Sequence, residues 1–202
     1  MKKTITTFFA VALAFPFAVV AEDAKTLNVV EKVEINAPAD IVWSKVNNFG
    51  DLGAWHPAVA KTEIIGRKNN VKGAVRLLTL QDGGTIKEKL VFYNEKGMTY
   101  KYQILEGVLP VSSYVSWITV KGSKTVKGKK TGMTTVVWKS SFKRKDTSAN
   151  PAAGQDDATA VKTITNVYKA GLDNLKKISE EAIEKATGIE CPQGAAGPCF
   201  TK

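Results

Sequence analysis

His56 is the only histidine among 202 residues, so a Ser-His-Asp triad or a multi-histidine metal site would rest on it alone. It stands between Trp55 and Pro57, after a stretch broken by Gly50 and Gly53, which places it on a loop. There it is either a general base or a residue packed at the mouth of a groove. Glu88 alternates with Ile86, Leu90 and Phe92. If that strand face points inward, a carboxylate points inward with it. Such a group needs a partner, a wet cavity or a raised pKa. Arg76, on the preceding strand, is the candidate partner. Glu88 is then a ligand anchor or an acid/base, against the alternatives of a buried ion pair or a solvent-facing strand residue.

Aromatic residues supply the second set. Met98, Tyr100, Tyr102 and Ile104 share one strand face; Val136, Trp138 and Phe142 share another with Ser140, and Trp117 lies between them. Trp55, His56, Glu88, Tyr100, Tyr102, Trp117, Trp138 and Phe142 are therefore the candidate ligand-binding residues of an aromatic-lined pocket. An ordinary aromatic core is the alternative.

The third set is basic. No Asp or Glu occurs from Gly107 to Lys145, whereas nine Lys or Arg do. Lys121, Lys124, Lys127, Lys129 and Lys130 are the candidate docking residues for an acidic partner; a solvated lysine loop is the other reading. The two cysteines, Cys191 and Cys199, flank a short segment containing Pro192, Gly194, Gly197 and Pro198. A local disulfide is expected there in an oxidising compartment. The alternative is a metal, but no His, Asp or Glu lies between the cysteines. With one histidine and both cysteines in the tail, no metal and no redox cofactor are expected.

These residues need elements to hold them. Thr26–Ile35 alternates as a strand, with Leu27, Val29, Val33 and Ile35 on one face. Pro38 suits a first helical turn, and Ile41, Val42 and Val46 mark one of two short helices before Pro57. Period-two patterning then predicts strands near Val59–Ile65, Ala74–Leu80, Thr85–Tyr93, Met98–Leu105, Tyr114–Val120 and Met133–Lys143. Short turns between them imply an antiparallel meander. A polar linker, 146–155, leads to one long helix over about Asp156–Ala186. Its apolar stripe is Val161, Ile164, Tyr168, Leu172, Leu175, Ile178 and Ala182. The expected architecture is α+β: a helix-grip fold, with a curved antiparallel seven-stranded sheet wrapped around the C-terminal helix and two short helices after the first strand.

The chain begins with Lys2 and Lys3, an apolar run from Phe8 to Val20, and Val19-Val20-Ala21. This is the pattern of a secretory signal peptide over residues 1–21. A domain over 22–187 and a cysteine-bearing tail over 188–202 follow. Loss of the leader removes two lysines and no acid, lowering the formal charge from +10 to +8. A periplasmic protein so charged favours acidic proteins or anionic lipid over nucleic acid, and no stable membrane insertion is expected.

Several segments in this order resemble the START/Bet v 1-like SRPBCC superfamily, in its polyketide cyclase/dehydrase-like branch. They are Val33-Glu34-Ile35-Asn36-Ala37-Pro38 leading to Val42-Trp43, then Trp55-His56-Pro57, Glu88-Lys89-Leu90 and Tyr100-Lys101-Tyr102. Leu109-Pro110-Val111 leading to Tyr114-Val115-Ser116, and Trp138 through Phe142, complete the set. With a leader, and with Trp55 to Glu63 as it stands, the chain is most similar to the periplasmic MxaD-type accessory proteins of bacterial methanol oxidation. The lysine-rich loop and the cysteine tail depart from that pattern. The resemblance implies a non-catalytic accessory protein that binds an acidic redox partner, methanol dehydrogenase or its cytochrome c, and promotes electron transfer between them. A carrier or sensor of a small apolar ligand in the groove is the alternative. A cyclase or dehydratase using Glu88 or His56 ranks behind both, because catalytic groups are few.

Overall fold

The computed structural model describes residues 24–122 and 132–187. The order of elements is β1 (Leu27–Ile35), α1 (Ala39–Val46), a 3-10 turn at Leu52–Ala54, β2 (Val59–Gly66), β3 (Val75–Leu80), β4 (Thr85–Asn94), β5 (Thr99–Gly107), β6 (Val111–Gly122), β7 (Thr134–Arg144) and α2 (Asp157–Thr187). The expected signal peptide, and Lys124, Lys127, Lys129, Lys130, Cys191 and Cys199, lie outside the described residues. The strands form one antiparallel sheet in the order β1-β7-β6-β5-β4-β3-β2. The meander runs unbroken from β2 to β7, and β1 then pairs along β7 from Leu27↔Phe142 to Ile35↔Thr134.

The curved sheet grips α2, as the two apolar faces require. From β3 to β7 the inner face buries Leu78, Ile86, Leu90, Tyr100, Tyr102, Ile118, Val136, Trp138 and Phe142. Against them α2 places Ala160, Ile164, Tyr168, Leu172 and Leu175. Over its last turns the expected stripe drifts. Ser179 and Ile183 are buried, while Ile178 and Ala182 are half-buried, because a three-and-four repeat counted from sequence slips around a helix of 3.6 residues per turn. Asp156 starts α2 by accepting from the backbone N–H of Thr159 at 2.8 Å and from its hydroxyl at 2.9 Å.

Two outward residues correct the sequence reading. Phe92 was expected to share the inner face with Glu88 and Leu90, but it is 47 % exposed. A register shift between Leu90 and Phe92 inserts Val91 as an extra residue and reverses the parity beyond it. Trp117 was expected in the pocket. Tyr114, Ser116, Ile118 and Val120 hold the inner face of β6, so Trp117 stands on the outer one. There Lys101 and Lys139, its register partners on β5 and β7, bring their ammoniums to 4.4 and 5.5 Å from its ring centroid.

Candidate functional site

Sheet and helix enclose a cavity of about 70 Å³. Its walls include Leu52, His56, Leu78, Ile86, Glu88, Tyr102, Tyr114, Trp138 and Ile164. Of the expected ligand-binding residues, His56, Glu88, Tyr102 and Trp138 therefore meet at one space. Tyr100, Trp55 and Phe142 are buried behind the wall. Tyr100 packs among Trp43, Phe49 and Tyr93, Trp55 packs on Trp138, and Phe142 on Tyr114.

Arg76 and Glu88 face each other directly in the β3–β4 register. Arg76 Nε donates to Glu88 Oε2 at 2.6 Å, and Nη2 lies 2.6 Å from the same oxygen. Nη1 donates to the Phe49 carbonyl at 2.7 Å. The guanidinium also lies 4.2 Å from the Phe49 ring centroid and 5.2 Å from that of Tyr102. Both close contacts from Arg76 to the carboxylate end on Oε2. Among the described residues nothing donates to Oε1, and Glu88 lines the cavity. Burial pushes the Glu88 carboxyl up from the ordinary carboxylate range, against the pull of Arg76. The guanidinium stays charged.

His56 is buried with both ring nitrogens engaged. Nδ1 accepts from the Ala58 backbone N–H at 3.2 Å, so the proton sits on Nε2 and is donated to the Val167 carbonyl at 2.9 Å. Burial lowers its pKa, and the Val167 carbonyl only partly offsets this. A neutral imidazole with both nitrogens committed is a poor general base, and its place is that of a packed loop residue. Asn174 holds the same loop by donating to the Trp55 carbonyl at 2.8 Å. Gly171 makes the close approach of loop and helix feasible, because a Cβ there would lie 2.6 Å from His56 Cδ2 and 2.9 Å from Trp138 Cζ3.

A hydroxyl network covers the opposite wall. Trp138 Nε1 donates to Tyr102 Oη at 3.1 Å and Ser116 Oγ at 3.0 Å. Ser116 Oγ is 2.7 Å from Tyr168 Oη, which pairs in turn with Tyr114 Oη. The Trp138 and Tyr168 rings stack at 4.3 Å. Burial pushes the Tyr168 phenol up to about 12 and raises the Tyr102 and Tyr114 phenols well above the ordinary tyrosine value. All three are neutral donors at physiological pH. Sequence reading took Tyr168 for core alone and missed Ser116 and Phe49. The available signal was a hydroxyl on the inner stripe of α2, since a buried phenol needs a partner. Among the described residues no three His, Cys, Asp or Glu side chains cluster to hold a metal. No described helix is long and apolar enough to cross a membrane.

Residues 26–180 match the family model described as polyketide cyclase/dehydrase and lipid transport. The chain belongs to that family. Among solved structures, XoxI from Bacillus cereus is 24 % identical, with a TM-score of 0.64 over 77 % of this chain and 97 % of its own. An uncharacterised protein from Bacillus thuringiensis is 26 % identical, with a TM-score of 0.62 over 76 % and 98 %. The major latex-like protein 151 of Panax ginseng, at 17 % identity, has a TM-score of 0.52 over 72 % and 94 %. These likenesses establish a Bet v 1-like fold for this member of the polyketide cyclase/dehydrase family. No curated protein matches it.

Proposed function

We propose that this chain is a non-catalytic, exported binding protein whose interior holds a small, largely apolar molecule by one hydroxyl or amine. The observation that carries this reading is the unused Oε1 of Glu88 at an apolar cavity. Such an oxygen selects a ligand that donates. The cavity's 70 Å³ falls below the roughly 300–1,000 Å³ of pockets for drug-sized ligands. As built it takes a few non-hydrogen atoms, and a lipid would have to displace wall side chains.

The test is titration with short-chain alcohols and amines, read from tryptophan fluorescence and from NMR shifts of cavity residues, the Trp138 indole among them. Saturable shifts are expected, and the double variant R76M/E88L should abolish them. It removes both charges together and leaves neither buried alone. Binding that survives the double variant, or no saturable shift with any probe, refutes the reading.

A second reading is an accessory role toward an acidic periplasmic redox partner, methanol dehydrogenase or its cytochrome c. It is favoured by the absence of any acid from Gly107 to Lys145 and by the MxaD-type resemblance. Lys121 is exposed at the end of β6, next to the lysine-rich segment. Addition of the protein should speed dehydrogenase-to-cytochrome electron transfer, and the effect should fade with salt as screening grows. No change in rate at low salt would remove this reading.

A further inference from the structure

The outer face of the sheet carries a band that the ligand site does not use. Three rows of register partners cross it. The central row runs Val30, Lys139, Trp117, Lys101, Phe92 from β1 to β4. The row on one side places Lys32 beside Val137, and the row on the other places Gln103 beside Lys89. No carboxylate stands in any of the three. Outside them, Glu34 lies beyond Lys32 in the row of Thr135 and Lys121, while Glu63 and Glu106 at the other end are paired with Lys61 and Lys87. Across five strands at about 4.8 Å spacing, the band is about 19 Å wide.

Its apolar residues are large and exposed. Val30 is 60 % and Phe92 47 % exposed, with Trp117 half-buried between them. An apolar face this open, crossed by one sign of charge, marks an interaction surface. The arrangement at its centre decides the kind of partner. Both neighbouring ammoniums are drawn onto the Trp117 ring, so the indole presents fixed cations rather than a bare apolar tip. A bilayer needs apolar side chains that project past the charges. A carboxylate-bearing protein surface needs cations held in place above apolar area, which is what the row offers.

We propose that the outer sheet face, centred on Trp117 with Lys101 and Lys139, is the docking surface for the acidic face of a partner protein. The proposal rests on the partner reading above but moves the contact from the lysine-rich segment after Lys121 to the sheet itself. Field complementarity here mainly raises the association rate.

The test uses the purified, isotope-labelled protein with poly-L-glutamate as the acidic probe. Vesicles of phosphatidylcholine with phosphatidylglycerol serve as the competing surface. Amide shifts should centre on β5, β6 and β7 around Lys101, Trp117 and Lys139. The variant K101E/K139E should weaken probe binding about tenfold, and the difference should vanish as the Debye length shrinks in salt. A control of equal net charge, K162E/K169E on exposed positions of α2, should change it less than about twofold. Circular dichroism checks that both variants fold. If the shifts gather at Lys121 and Gly122 and K101E/K139E behaves like the control, this surface is wrong while the partner reading stands. If the probe shows no salt-sensitive binding anywhere, both fall. If vesicles bind through this face and poly-L-glutamate does not, the surface belongs to lipid and the protein assignment is overturned.

Discussion

The Arg76–Glu88 pair gives the sharpest energetic prediction. Its side chains are 1 % and 5 % exposed, so water screens little of the interaction. Replacing Glu88 by Gln keeps the shape but leaves a guanidinium buried with the Phe49 carbonyl, two aromatic rings and a neutral amide. The expected loss is about 3–5 kcal/mol, the usual cost of stranding one member of a buried pair. In a domain of this size that corresponds to a fall in Tm of about 6–20 °C. Arg76→Met should cost a similar amount by stranding the carboxylate.

The double variant R76M/E88L should behave differently. Swapping a buried pair for apolar residues is often neutral or stabilising. Here the Phe49 carbonyl loses its 2.7 Å donor, which costs about 1–3 kcal/mol. The double variant should therefore lie within about 2 kcal/mol of the parent. Urea unfolding of all four proteins closes the cycle, and a coupling energy of about 3 kcal/mol or more is expected. A coupling below about 1 kcal/mol, the range of exposed ion pairs, would show that the pair is hydrated and that the burial argument for Glu88 is wrong.

Other consequences follow from the same packing. Burial lowers the His56 pKa from its ordinary value near 6.5, so below about pH 6.5 the unfolded chain binds more protons than the folded one. This contribution is complete above that pH and is lost as pH falls toward the lowered folded value. The stability difference between pH 7.5 and pH 5, measured by urea unfolding, should shrink in His56→Gln; an unchanged slope would clear His56. Gly171→Ala should destabilise by about 1–3 kcal/mol through overpacking against His56 and Trp138, despite the roughly 1 kcal/mol that alanine gains in helix propensity; a raised Tm would contradict this packing. Protein recovered from the periplasm should begin at Glu22 by intact mass and, unfolded without reductant, should label no thiol at Cys191 or Cys199. An intact Met1 or two free thiols would count against export or the disulfide respectively.

The inward carboxylate was readable because strand parity is a local rule. Ile86, Glu88 and Leu90 precede the bulge, and Arg76 lies straight across a short hairpin. Phe92 was not readable, because a one-residue bulge leaves no mark in the alternation until its neighbours are known. Trp117 failed for a different reason. Its parity with outward Val115 and Thr119 was available but its place between two aromatic strands was read instead, and only the flanking lysines of those strands explain why it stands outside. The clamp of His56 on the Val167 carbonyl joins residues 111 apart in sequence. Gly171 looks like a weak point in a helix until the loop that packs on it is placed. The hydroxyl chain from Trp138 to Tyr168 joins β6, β7 and α2, and pattern along one element cannot show it.

Placing an arginine and a glutamate in this core is hard to explain by stability. An apolar pair of similar volume would fill the same space at little or no cost, and the surrounding Phe49, Leu78, Leu90 and Tyr100 already make an apolar environment. Fixing strand register does not need it either, because β3 and β4 are joined by a turn of only a few residues. What the pair does supply is a carboxylate held rigidly by one oxygen beside a cavity that Tyr102, whose hydroxyl already accepts from Trp138, also lines. Arg76 fixes the position of Glu88, and burial sharpens its preference for a donor. A ligand hydroxyl could donate to Glu88 and accept from Tyr102 within one small space. On this argument R76M/E88L keeps the fold and loses the ligand, whereas a purely structural pair would show the reverse: a damaged fold, with binding intact in whatever protein remained folded.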